Sequence, residues 1–326
     1  MNRNRLLLLA AAFIGALNTC TAIAQSAWPS RPVRISTAAP PGGNPDILAR
    51  MLAVKYSEVF GKAFVVESVT GGGGTVGALA IARSAPDGHN LLIGDSGALA
   101  IAPALMGGTL AYQPLKDFTP ITSLAAVPTI LMLTPAVPAN NFEEFIRYAK
   151  ANPGKLSFGT AGVGSIHHMT MAILATRAGV EFLHVPYKGG AAITAGLLAG
   201  DIQSALIGIP NAVQPLKSGR LKTVGISTLA RSPVMPDVPT MAESGLSGFD
   251  VASNMGLVAA AGTPPDIVAK LQALTARSMR EPEIAAKITS LGMIPTENGT
   301  AHYVQFMRED VERYATVVKT LGLKAE

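Results

Sequence analysis

Cysteine is almost absent from this sequence of 326 residues, with Cys20 standing alone. One cysteine forms neither an intramolecular disulfide nor a thiolate metal cluster, and a chain this long can build a core without such staples. Charge is also scarce, at 14% of residues, and the formal net charge is only +5, of which Arg3 and Arg5 supply two. So weak and scattered a balance excludes a nucleic-acid footprint. Hydrophobic residues make up 48%, so the chain is globular rather than disordered. No apolar run of about 18 residues follows the N-terminal region, so no membrane span is expected there. The histidines are His89, His167, His168, His184 and His302. None form an i,i+4 pair, and two adjacent residues on a helix point apart, so no metal site is expected.

The N-terminus carries a positive signal. Arg3 and Arg5 form an n-region, Leu6 to Leu17 an apolar stretch, and Ala22-Ile23-Ala24 a small-residue cleavage motif. The pattern predicts a signal peptide over residues 1–24 and a periplasmic mature protein. Cleavage there removes Cys20, whose neighbour Thr19 is a poor context for lipid attachment. Trp28-Pro29-Ser30-Arg31-Pro32 follows at once and cannot continue a helix. About 300 residues remain, more than a single core usually holds, so two domains are expected.

Beyond residue 32 the chain alternates between β-branched runs and amphipathic stretches. Strands are predicted at 33–37, 63–67, 91–94, 128–133, 156–159, 182–185, 202–207, 221–226 and 251–259. Helices are predicted from Asp46, read as a cap, to about Phe60, and at 76–84, 142–151, 165–178, 191–198 and 212–218. Three more follow at 265–280, 282–291 and 301–321. Repeated βα units imply an α/β fold with mostly parallel sheets covered by helices on both faces. The middle block is long enough to be an inserted domain. The expected arrangement is domain 1 at 25–122 and 226–326, domain 2 at 123–225, and a ligand cleft at the hinge between them.

Two motifs suggest chemistry and fail on context. Gly72-Gly73-Gly74-Thr75-Val76-Gly77 fits G-x-G-x-x-G, follows a strand and opens a helix, with Asp95 ending the next strand. The match picks one phase out of four consecutive glycines, and an exported protein rarely meets a dinucleotide. These glycines are read instead as allowing tight backbone at the domain junction. Gly94-Asp95-Ser96-Gly97 matches the nucleophile region of chymotrypsin-like proteases, yet it ends a strand in an α/β pattern, and no G-x-S-x-G elbow is present. Three strand-to-helix turns remain: Pro41-Gly42-Gly43-Asn44, Gly94 to Gly97, and Thr160 to Ser165. Helix starts offer unpaired N–H groups and a partial positive charge, and in open α/β sheets ligands sit beyond the carboxyl ends of strands. Three such loops without a catalytic set point to binding of a carboxylate, although Gly and Ser also serve plain tight turns.

A family resemblance rests on several segments together. They are Trp28-Pro29-Ser30-Arg31-Pro32-Val33, Pro40-Pro41-Gly42-Gly43 with Asp46 and Ala49-Arg50, Ala85-Pro86-Asp87-Gly88, and Pro114-Leu115-Lys116-Asp117-Phe118. Further along come Pro153-Gly154-Lys155-Leu156, Gly162-Val163-Gly164-Ser165 with His168, and His184-Val185-Pro186-Tyr187-Lys188-Gly189. The set ends with Arg231-Ser232-Pro233, Pro236-Asp237-Val238-Pro239-Thr240 and Ala261-Gly262-Thr263-Pro264. From about Trp28 to Leu323 the chain resembles the Bug-type, TctC-like extracytoplasmic solute receptors of tripartite tricarboxylate transporters. The resemblance implies a two-domain Venus-flytrap binding protein, not an enzyme. It would have no cofactor, bind small carboxylates or related polar molecules, and pass them to a membrane permease; a monomer suits such delivery.

The same resemblance places Gly42, Gly43 and Asn44 on one side of the cleft and Gly162, Gly164, Ser165 and His168 on the other. Ser96 and Ser165 are the best hydroxyl donors. Departures from the family pattern add three positions. Ala39 stands where an aromatic is frequent, Asn254 where an aromatic pair is usual, and Asp95 where Thr, Ser or Asn is usual. Acidic residues common at 196 and 207 are replaced by Gly196 and Ile207. If Asp95 points inward, it repels a nearby carboxylate or accepts a donor group; as a turn residue it does neither. Competing expectations are an exported hydrolase using Ser165 and His168, and a sensory binding protein without transport.

Overall fold

The computed structural model describes residues 28–38, 41–296 and 299–323. The expected signal peptide, Cys20 and Ala39 lie outside the described residues. Among the described residues, ten strands form two sheets that share one long strand. In the first, β1 (Val33–Thr37) lies between β2 (Phe64–Ser68) and β3 (Asn90–Asp95), all parallel. β9 (Ala252–Ala260) joins β3 antiparallel, and β4 (Phe118–Leu133) joins β9 antiparallel. In the second sheet β4 pairs antiparallel with β7 (Ser204–Gly208) and with β8 (Lys222–Ile226). β5 (Ser157–Thr160) then pairs parallel with β7 and with β6 (Leu183–Pro186). The short β10 (Ile294–Pro295) pairs with β4.

The expectation of mostly parallel sheets therefore holds only away from the centre. β4 runs from one lobe into the other, and it and β9 make the antiparallel pairs at the centre. β4 also begins ten residues before the strand expected at 128–133. Pro120 and two register shifts, at Pro120/Thr122 and Ser123/Ala125, break its alternation and hide it. Its partner changes from β9 to β7 between Pro128 and Thr129. The second crossing is tied to the first by Ser227. This fully buried side chain accepts a hydrogen bond from Thr129 N (3.0 Å) and donates one to Val251 O (2.6 Å).

Helices cover both faces of each sheet. In the first lobe α1 (Asn44–Phe60), α9 (Pro265–Met279) and α10 (Pro282–Ser290) bury Leu48, Leu52, Leu271 and Ile288 with Ile35, Ile93 and Leu257 of the sheet. The opposite face takes α2 (Thr75–Ala82) and the long C-terminal α11 (Gly299–Leu321) through Ile81, Tyr303 and Met307. In the second lobe α5 (Phe142–Ala151) and α6 (Ile166–Ala178) pack on Leu131, Phe158 and Leu206. α7 (Gly190–Ala199) and α8 (Ile209–Lys217) pack on Ile130, Met132 and Ile207. Burying a side chain of this size stabilises by about 1.5–3 kcal/mol, so each sheet face anchors its helices.

A fifth apolar cluster joins the lobes. Ala100 and Ile101, in the turn that enters α3 (Ala102–Met106), meet Met169 of α6 and Tyr314 and Val318 of α11. α4 (Pro114–Asp117) leads into β4. Asp46 is not the cap of α1, as expected; Gly43 is. Asp46 sits in the first turn, where it accepts Gly42 N–H (2.9 Å) and pairs with Arg50 (2.9 Å), and that pairing holds its carboxyl below the usual range.

Candidate functional site

A cavity of about 580 Å³ opens between the lobes at the carboxyl ends of the strands. This is a size suited to a small metabolite. One wall comes from the first lobe: Gly72, Gly73 and Thr75 after β2, Asp95 and Gly97 after β3, and Ala102, Leu105 and Met106 on α3. The other is Ala161 and residues 163–166, between β5 and α6, and Ser253 of β9 lies at the hinge. Gly71, Gly72, Gly73 and Gly74 all have positive φ, from 55° to 130°. Four successive left-handed positions exclude any side chain and turn backbone, not Cβ atoms, toward the cavity. The loop is wedged in place, since a Cβ on Gly74 would press on Ala38 and Ala98. Across the cleft, Gly164 (φ +78°) faces Leu105 closely enough that a Cβ would collide with it.

Ser165 caps α6 by accepting His168 N–H (3.2 Å) while donating to Gly162 O (2.7 Å). The first-turn N–H groups of α6, Ile166 among them, have no intrahelical acceptor and carry the positive end of the helix dipole. His168 is buried and stacked on His184, with ring centroids 4.6 Å apart, and its Nδ1 accepts Gly164 N–H (3.2 Å). Burial, then the neighbouring His184, pushes its pKa down to about 4; burial alone does the same for His167. Both rings are neutral at neutral pH. No Lys, Arg or His side chain belongs to the described wall, whose single formal charge is Asp95.

Asp95 accepts Ala98 N–H through Oδ1 (3.2 Å) and is also bonded by Gly97 N–H. Burial raises its pKa, and those N–H bonds work against the rise. Just below it lies a second carboxylate, on α11. Asp310 Oδ2 accepts the Ser96 hydroxyl (2.8 Å), and Ser96 Oγ accepts Asn254 N–H (3.1 Å). Asp310 is also 3.5 Å from Arg313; burial raises its pKa, and Arg313 lowers it.

The structure thus brings Asp95, Gly164 and Ser165 together at one cavity. Gly162 shapes the loop behind Ser165 without lining the wall, and His168 supports that loop from the core. Gly42, Gly43 and Asn44 are not in the described wall; the first takes the Asp46 carboxylate as its partner instead. Ser96 is buried and engaged with Asp310. Asn254 faces away from the cleft, toward a separate pocket of about 290 Å³ beside the hinge and α11, while its neighbour Ser253 faces the cleft. Ile207 is fully buried, and Gly196 makes room for the Tyr187 ring, so neither lines the cleft. Residues that sequence reasoning missed are Gly72, Gly73, Thr75, Ala102, Leu105, Met106, Ile166 and Ser253. For the glycines a signal existed, since they follow a strand at its carboxyl end.

Two α/β lobes, two chain crossings and a backbone-lined cleft define a periplasmic-binding-protein fold. The sequence profile described as "Tripartite tricarboxylate transporter family receptor" matches residues 48–323, and the chain belongs to that family. Among solved structures it is similar to "R. palustris Rpa4515 with adipate", at 31% identity and TM-score 0.79, over 91% of this chain and 99% of that one. It is also similar to "periplasmic binding protein BugD", at 32% identity and TM-score 0.76, over 92% and 100% of the two chains. A third is "MatC (Rpa3494) from Rhodopseudomonas palustris with bound malate", at 33% identity and TM-score 0.75, over 89% and 100%.

Proposed function

We propose that this chain is a periplasmic receptor that captures a small carboxylate between its lobes and delivers it, unmodified and as a monomer, to a tripartite tricarboxylate transporter permease. The observation that carries the reading is the cavity wall itself, built from glycine-loop backbone and the N-terminus of α6. Backbone N–H groups at such a helix start suit a carboxylate without a fixed cation. The relatives bound to adipate and malate support the ligand class. The lobes are residues 28–128 with 252–323, and residues 129–226 with the return segment. The exchange of partners in β4 and the Ser227 crossing support these limits. A hydrolase using Ser165 and His168 is disfavoured, because the Ser165 hydroxyl is spent on Gly162 O and the His168 Nδ1 on Gly164 N–H. The leader is residues 1–24, and N-terminal sequencing of exported protein should start at Gln25.

The test is a thermal-shift and calorimetric screen of residues 25–326 against C4 to C6 carboxylates, after bound ligand is removed by partial unfolding and dialysis. At 100 times its dissociation constant a ligand adds about 2.7 kcal/mol of stability, a shift of several degrees. A folded protein that responds to no carboxylate would refute the proposal.

A further inference from the structure

We propose that Asp95 selects a zwitterionic ligand, in which a carboxylate rests on the second lobe and a cationic amino group reaches Asp95 on the first. The inference rests on the carboxylate-receptor reading and names the ligand class of that same cleft. The wall opposite Asp95 offers the backbone of residues 163–166 and the start of α6, which favour an anion. Asp95 occupies the other wall and carries its only formal charge. Arg313, the cation beside Asp310, is committed to Asp310 and to Asp250 O. His168 is buried and His167 half-buried; desolvation keeps both rings neutral, so neither supplies a positive charge. Among the described residues, the hydrogen bonds that Asp95 accepts come from backbone N–H groups.

A part-buried carboxylate without a cationic partner is costly, and a ligand ammonium group offsets that cost. A second carboxylate placed there meets like charge in a poorly solvated cleft. A dicarboxylate and an ω-amino acid of equal length thus differ in sign at the atom that approaches Asp95, and in little else.

The experiment uses the ligand-stripped mature protein, wild type and Asp95→Asn, with calorimetry on three matched series. These are succinate with 4-aminobutanoate and butanoate, glutarate with 5-aminopentanoate and pentanoate, and adipate with 6-aminohexanoate and hexanoate. Asn keeps one oxygen for the Ala98 N–H, removes the charge and puts an amide NH2 in place of the other oxygen. In the wild type, the best amino acid should bind at least tenfold more tightly than its matched diacid and monoacid. Asp95→Asn should erase that preference. A wild type that prefers the diacid, or a preference that survives Asp95→Asn, overturns the assignment of Asp95 and leaves the carboxylate receptor standing. Binding of no compound in any series by folded wild-type protein overturns both. If Asp95→Asn fails to fold, the wild-type order of the three ligands decides the matter alone.

Discussion

Gly256→Ala should destabilise the first lobe through one contact. Gly256 lies in β9, paired with Gly94 of β3 and Ser123 of β4. A Cβ there would land on Cζ and the hydroxyl of Tyr303, with Cε2 at 2.7 Å. Tyr303 is 3% exposed, so its ring cannot swing into solvent. The backbone at 256 is not left-handed, so the penalty is packing and not conformational strain. Two effects compete. Removing glycine freedom from the unfolded chain stabilises by about 0.4–1 kcal/mol. Overpacking an enclosed ring costs about 1–3 kcal/mol and here lies at the upper end. The net expectation is a loss of about 2 kcal/mol. Urea titration followed by tryptophan fluorescence measures it. Trp28 is the sequence's single tryptophan and packs on Phe60 and Phe64 in the same lobe. Gly108→Ala is the control: no atom lies near its Cβ, so it should be neutral or slightly stabilising. In a Tyr303→Leu background Gly256→Ala should cost less, with a coupling of about 1 kcal/mol or more. Additive effects, or a Gly256→Ala protein as stable as wild type, would refute the reasoning.

At the crossing point, Ser227→Ala strands Thr129 N–H and Val251 O in a buried site and should cost about 2–3 kcal/mol in the same titration; under about 0.5 kcal/mol would mean the crossing is held by something else. Ser96→Ala leaves Asp310 Oδ2 and Asn254 N–H without their partner, and should lower stability by about 1–3 kcal/mol while calorimetry finds affinity nearly unchanged. The reverse pattern would make Ser96 a ligand contact. Acid should destabilise the second lobe. His168 takes up a proton near pH 6.5 when unfolded but only near pH 4 when folded, so its stabilising effect is full above pH 6.5 and fades as pH falls toward 4. Urea titrations at pH 7.5, 5.5 and 4.5 should show a shallower decline in His168→Gln; an identical decline would exclude the imidazole as the cause.

Much of the fold was legible because local signals agreed. Asn152-Pro153-Gly154 stopped α5 where expected, and the Ser165 cap opened α6 at its expected start. β4 was half hidden because its two register shifts and Pro120 break the period of two, and its double membership is a property of its partners. The cleft was legible as loops at strand ends, and two of the three expected loops line it. The third, Gly42 to Asn44, does not belong to that wall, to which Gly72, Gly73 and Thr75 contribute. A local carboxylate, Asp46, claims the Gly42 N–H, and a contact made by folding cannot be read from glycine content. Leu105 and Met106 were invisible for the opposite reason, being apolar residues in an apolar stretch. The departures from the family pattern then separate on physical grounds. Ile207 and Gly196 answer to neighbouring side chains in the second lobe's core, and Asn254 faces the hinge pocket. Among the described departures Asp95 stands in the cavity wall, where exchanging a neutral side chain for a carboxylate changes the charge that a ligand meets.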